Sequence, residues 1–168
     1  MIGSDPRQNF RARRTEREGE GRAVPSEAIE YLARCHCGVL TARFRTALEP
    51  GSWSVRACQC SFCRGHGAET TSDPNGTLTF KSSNPARVQR YRFGGRTAEF
   101  FICRECGVYI GARIDTDKGS FGILNTRTLR PPLNALPQAE VMDYAAESAE
   151  MRQLRRVGRW TPLSPQSL

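Results

Sequence analysis

Seven cysteines in three tight groups constrain this 168-residue chain more than any other feature. They fall in Cys35-His36-Cys37-Gly38, Cys58-Gln59-Cys60-Ser61-Phe62-Cys63 and Cys103-Arg104-Glu105-Cys106-Gly107. Spacings this short let neighbouring thiolates converge on one ion, because tetrahedral zinc holds sulfurs at about 2.3 Å and a single turn can supply two corners. The two pairs together make four ligands, enough for a closed structural site. The triplet makes three and leaves one position open, which is what separates a catalytic zinc from a structural one. The competing reading is a disulfide framework, or cysteines buried as small apolar groups. An odd count disfavours complete pairing, and Met1-Ile2-Gly3-Ser4-Asp5-Pro6-Arg7 lacks the apolar run of an export signal. The expectation is therefore a cytoplasmic protein with thiolate-bound metal.

The length suits one domain with a real core, and no stretch approaches a membrane span. The formal charge of +8 is unevenly placed. Residues 1–30 hold six Arg and six acids, and residues 131–168 hold four of each, so residues 31–130 carry the whole excess. Thiolate-bound zinc offsets part of it: a four-thiolate site is net −2 and a three-thiolate site net −1, leaving about +5. What remains favours an anionic partner, a small carboxylate or a polyanion. The balanced N-terminal tail argues against a dedicated nucleic-acid arm.

Residues 1–26 mix Arg with Glu, carry Gly19, Gly21 and Pro25, and show no apolar period, the pattern of a flexible solvated tail. From Glu30 the period becomes two. Leu40, Ala42 and Phe44 share one face of a strand over Val39–Arg45. In Trp53–Cys60 the apolar Trp53, Val55 and Ala57 lie opposite Ser54, Arg56, Cys58 and Cys60, so the first two thiols of the triplet project from a polar strand face and Cys63 returns through a turn. Further strands are expected at Thr77–Lys81, Ala86–Phe93, Thr97–Cys103, Val108–Ile114 and Ser120–Asn125. Asp73-Pro74-Asn75-Gly76 and Gly94-Gly95 read as turns. Pro131, Pro132 and Pro137 mark a loop, and Glu147–Val157 is expected to form a short helix with Met151, Leu154 and Val157 inward. The domain spans residues 27–160, with residues 161–168 loose. The fold class is all-β, a small core reinforced by metal.

The order C-x-C-G, C-x-C-S-x-C-R and then an aromatic-rich strand running into C-x-x-C-G resembles the glutathione-dependent formaldehyde-activating enzyme family, which includes centromere protein V. The resemblance runs from about Glu30 to about Trp160. It implies a zinc-stabilised β-tent of short antiparallel strands with two zinc ions. Cys35, Cys37, Cys103 and Cys106 would hold the structural zinc, and Cys58, Cys60 and Cys63 the catalytic one. It also implies carbon–sulfur lyase chemistry on adducts of glutathione, or a similar thiol, with formaldehyde or another aldehyde. The chain departs from the founding enzymes in its shorter C-terminal part and in Gly65-His66-Gly67 after the triplet.

The residues suit that chemistry. Three thiolates leave zinc a poor Lewis acid for making hydroxide but a good holder of a substrate thiolate. A proton must still move at the adduct oxygen, for which His66 and then Glu69 are the candidates closest in sequence. Arg56 and Arg64 flank the triplet and are candidates for a substrate carboxylate, or else ordinary solvated side chains. His66 has a second reading, as a fourth ligand closing a Cys3His site. His36 reads as an exposed residue of the first turn. Tyr91, Phe93, Phe100 and Phe101 read as core or as a substrate wall. Two other functions stay open: a non-catalytic zinc module binding protein or nucleic acid, and a glutathione carrier without turnover.

Overall fold

The computed structural model describes residues 27–168, and the tail expected at residues 1–26 lies outside them. The fold is mostly β, with two sheets and two helices. The chain begins with the hairpin β1 (Ile29–Arg34) and β2 (Leu40–Thr46), whose connection contains the first C-x-C. Leu40, Ala42 and Phe44 are buried while Arg43 and Arg45 are exposed, as the alternation predicts. β3 (Val55–Cys58) follows, then the one-turn helix α1 (Ser61–Gly65) and the short β4 (Thr70–Thr71).

The Asp73–Gly76 turn leads into β5 (Thr77–Ser82). Asp73 is buried, and its carboxylate accepts from Thr46 Oγ1 at 2.6 Å and from the Asn75 N–H at 2.8 Å, so the charge has partners. β6 (Val88–Tyr91), β7 (Glu99–Cys103), β8 (Tyr109–Thr116) and β9 (Gly119–Asn125) then form a meander. β10 (Glu140–Met142), α2 (Ala149–Arg159) and β11 (Thr161–Pro162) complete the chain.

The smaller sheet is β1-β2-β5 and the larger runs β10-β3-β4-β9-β8-β7-β6. Its ladders are antiparallel except β10 on β3. β4 and β11 occupy successive stretches of one edge of β9, at Leu124–Asn125 and at Phe121–Gly122.

The strands β7 to β9 contribute buried residues from both faces of the sheet. One face contributes Phe101, Ile110 and Leu124 to a core shared with Leu40, Phe44, Leu78 and Phe80 of the small sheet. The other contributes Phe100, Tyr109, Ala112 and Ile123 to a second core with Cys63 and Trp160. The four aromatics in question therefore divide. Phe101 is fully buried against Phe80, whereas Tyr91, Phe93 and Phe100 gather around Phe62 on the opposite side.

Three local expectations are corrected. β3 stops at Cys58, and Cys60 is the N-cap of α1, with Cys63 inside that helix instead of in a turn. In α2, Val157 packs against the second core as expected, but Met151 and Leu154 are each 60% exposed. The inward face carries Arg152, Arg155 and Arg156, because Glu147 pairs with Arg155 at 2.6 and 2.8 Å, Tyr144 lies under the Arg155 guanidinium at 3.6 Å, and Thr97 accepts from Arg156 at 2.8 Å.

Residues 161–168 are not loose. Thr161 is fully buried and its Oγ1 accepts the Asp73 N–H at 2.8 Å, while Leu163, Ser164 and Leu168 donate backbone N–H groups to Ser120, Leu78 and Phe80. Deleting residues 161–168 should lower unfolding stability by at least about 2 kcal/mol, since several bonds worth roughly 1 kcal/mol each are lost. A urea titration reads this, and an unchanged midpoint would mean that the segment is only draped on the sheet.

Candidate metal centres and the cleft beside them

The first C-x-C is the turn of the β1–β2 hairpin and the C-x-x-C is the turn of the β7–β8 hairpin. Each ends in a glycine with positive φ, Gly38 at 85° and Gly107 at 71°, a conformation that a side chain disfavours. The reversal turns backbone N–H groups toward sulfur, as where Leu40 donates to Cys35 Sγ at 3.2 Å. The two turns meet. Cys35 and Cys37 sulfurs lie 3.6 Å apart, and Cys37 and Cys103 sulfurs, 66 residues apart in sequence, 3.5 Å apart. All four sulfurs are within 4.8 Å of one another. Sulfurs around a tetrahedral zinc stand about 3.8 Å apart, so the donor set fits that ion. His36 is exposed and outside the group.

The triplet is local. Cys58 ends β3, Cys60 caps α1 by accepting the Cys63 N–H at 3.4 Å, and Cys63 is buried within the helix. Their three sulfurs also lie within 4.8 Å of one another. Neither His66 nor any carboxylate joins them, so the described residues bring three ligands together and no fourth. The donor set fits a metal with one position left over. A further sign is the hydroxyl of Tyr109, wholly buried beside the triplet and without a hydrogen-bond partner among the described residues. A metal–thiolate centre would set accepting sulfur charge near it.

Charge is shared unevenly among these thiols. Burial pushes Cys35 up to about 12 and also raises Cys103. Burial would raise Cys106 too, but the N–H groups of Cys37 and Val108 and the neighbouring thiols bring it down to about 6. Cys58 is lowered to about 6 chiefly by a hydrogen bond with Cys63, whose own thiol is raised by that same bond and by burial. Each group thus contains one thiol shifted toward ionisation, beside two in the four-thiol group and one in the triplet that a metal would have to deprotonate.

The triplet opens onto a cleft of about 510 Å³, within the roughly 300–1,000 Å³ of small-molecule sites. Phe93, Ala98, Phe100, Ile123 and Trp160 make one wall, and Arg56, Arg152, Arg155 and Arg156 bring positive charge to it. Arg56 is only 5% exposed. Its guanidinium donates to Ser72 Oγ, which donates onward to the Arg159 carbonyl at 2.7 Å, and among the described residues it has no ion-pair partner. Burial lowers its pKa. Arg156 is brought down to about 10 by burial and by Arg155 and Arg152. Burial also raises the phenol of Tyr144, which lines the cleft.

Of the candidates from the sequence, Arg56 and Arg64 both line the cleft, Arg56 buried and Arg64 exposed on α1. His66 is exposed, with its ring against Phe62 at 4.5 Å, and does not line the cleft. Glu69 also lies outside it, paired with Arg127 at 2.6 Å. Sequence reasoning missed Tyr144 and the α2 arginines. The signal was present: Arg152, Arg155, Arg156 and Arg159 recur at helical spacing, as clear a stripe as the apolar one. A smaller cavity, of about 200 Å³, carries no thiol, and four of its charged residues pair as Arg92–Glu99 and Arg113–Asp115.

The family model for the glutathione-dependent formaldehyde-activating enzyme matches residues 30–144. The chain belongs to this family. The match takes in all seven cysteines and ends at Tyr144, so α2 with its arginines lies beyond it. Among solved structures, the chain is similar to a crystal structure of a Rhodobacter sphaeroides protein, at 26% identity and a TM-score of 0.51 over 66% of this chain and 99% of that one. No curated protein matches the chain. No helix among the described residues is long and apolar enough to cross a membrane.

The two thiol groups should respond differently to mutation. Cys103→Ser opens a centre joining two hairpins and should give unfolded or aggregated protein. Cys60→Ser opens a local centre and should keep the fold with one metal ion fewer. Circular dichroism with elemental analysis tests this; equal unfolding of both variants would make the triplet structural.

Proposed function

We propose that this protein is a zinc-dependent carbon–sulfur lyase acting on adducts of glutathione, or a similar thiol, with formaldehyde or another small aldehyde. The observation that carries the reading is the three-thiol group opening onto a cleft whose buried cation, Arg56, has no acidic partner among the described residues. Family membership supports the glutathione and aldehyde themes. Zinc held by Cys58, Cys60 and Cys63 would supply an open position at which a thiol gives up its proton.

The residues of the chain do the rest. Arg56, fixed by Ser72, offers its remaining N–H groups to a substrate carboxylate, and Arg64 offers a second, exposed cation. Asp143 lines the same cleft and matches a substrate ammonium. Phe93, Phe100 and Trp160 exclude water from the thiol end, which strengthens each charge interaction. The four-thiol group takes the structural role, as a second zinc. That His66 and Glu69 stand outside the cleft favours a second reading, a glutathione carrier without turnover.

Calorimetry separates metal-directed binding from general attraction to arginine. S-methylglutathione keeps both carboxylates but cannot form a thiolate, so it should bind at least about tenfold more weakly than glutathione. Equal affinities would mean that the cationic surface does the binding. Arg56→Gln should weaken glutathione by about 1.5–3 kcal/mol, the range for a charged hydrogen-bonded contact. An unchanged Kd would remove Arg56 from the site.

A further inference from the structure

We propose that Tyr144 is a catalytic residue: its phenol O–H donates a hydrogen bond to the carbonyl oxygen of the aldehyde as the carbon–sulfur bond forms, and to the same oxygen of the adduct as that bond breaks. The inference rests on the lyase reading. In the addition, the substrate thiolate sulfur supplies the electron pair of the new S–C bond and the C=O π pair moves onto oxygen. The thiol proton has gone to water and the oxygen regains one from water, so thiol plus formaldehyde balances the hydroxymethyl thioether. Negative charge builds on one atom, the oxygen, and a donor aimed there stabilises the transition state more than the ground state.

Among the hydroxyl and amide side chains that line the cleft, all but Tyr144 are engaged in hydrogen bonds within the described residues. His66 and Glu69 lie outside it. Near the thiols, the Gln59 amide donates to the Ala57 carbonyl and the Thr70 hydroxyl to the Arg56 carbonyl. Arg155 is held by Glu147 and Arg156 by Thr97. Tyr144 lines the cleft, and its hydroxyl makes no hydrogen bond among the described residues.

Its place is fixed from two sides. β10 runs parallel to β3 with Met142 opposite Cys58, and the Gln59 N–H donates to the Met142 carbonyl at 2.9 Å, so Tyr144 emerges two residues beyond the thiol's register partner. The ring is stacked under the Arg155 guanidinium at 3.6 Å, and the Tyr144 carbonyl accepts from the Glu147 N–H at 3.2 Å and from Arg152 at 3.4 Å. Tyr144, Arg56 and Cys58 line the same cleft, on two strands paired in parallel and the residues that follow them. A thiol tied by carboxylate to Arg56 and by sulfur beside Cys58 would hold the aldehyde carbon at that sulfur within the cleft that Tyr144 lines.

Tyr144→Phe removes the hydroxyl and keeps the stack on Arg155. The test measures zinc content, glutathione Kd by calorimetry, and the rate of exchange between glutathione plus formaldehyde and their adduct by NMR exchange spectroscopy. The expected result is full zinc content, a Kd within about twofold of the parent and an exchange rate lower by about 100-fold, the usual loss for one such donor. An unchanged rate would overturn the inference, and so would lost zinc or a Kd that rises as far as the rate falls, since Tyr144 would then serve structure or binding. Exchange no faster than the uncatalysed reaction in the parent protein is a different result: it overturns the lyase reading itself, and this inference with it.

Discussion

The meeting of two hairpin turns at four sulfurs is the constraint on which the other features depend. Cys35 and Cys37 come from the small sheet, Cys103 and Cys106 from the large one, and two of the four are fully buried. Without an ion, four thiols this close would be an awkward group, since burial resists their ionisation and neutral S–H bonds are weak. With zinc they become a cross-link. Structural zinc sites contribute about 10–16 kcal/mol, comparable with the roughly 5–15 kcal/mol total stability of a typical domain. The sheets also share the apolar layer of Phe44, Leu78, Phe80, Phe101 and Leu124, so sulfur cluster and core hold the same interface from two directions.

That interface frees the far side of the large sheet for the cleft. β7 to β9 present Phe100, Tyr109 and Ile123 there, and the triplet and α2 close over them. The electrostatics then follow from burial. Arg56 is buried with one side-chain hydrogen bond, to a hydroxyl, and no ion pair among the described residues, an expensive arrangement unless an anion completes it. Three thiolates with zinc would provide one negative charge, and a bound thiolate a second. The arginines of α2 are spared the same cost by Glu147, Tyr144, Thr97 and Trp160, which hold them at the cleft as a preformed cationic wall.

Much of this was legible in the sequence, for physical reasons that differ by element. Cysteine spacing is a covalent constraint that needs no tertiary context, and the four-plus-three grouping reads directly. Alternation reads cleanly in β2 because one face is wet, whereas β7 to β9 bury residues on both faces, which the period-two reading of one buried face does not foresee. The C-terminal segment was misjudged because its polar Thr161, Ser164 and Ser167 are used as hydrogen-bond partners of the sheets. The α2 orientation was misjudged by treating Met151 and Leu154 as the decisive stripe, when ion pairing and cation–π contacts of the arginines set the facing. His66 and Glu69 were chosen by closeness in sequence to the triplet. The chain turns at α1 and carries them out of the cleft, while β10, pairing in parallel with β3 from 84 residues further on, brings Tyr144 in.

Under the proposed function, one of the two thiolate centres is closed and the other takes the substrate thiol. Cadmium-113 NMR of the protein loaded with that ion reads the number of sulfurs on each centre. Two resonances are expected, one of four-sulfur and one of three-sulfur character, and added glutathione should shift only the second toward the four-sulfur position. Two four-sulfur signals, a single signal, or a three-sulfur resonance indifferent to glutathione would contradict it.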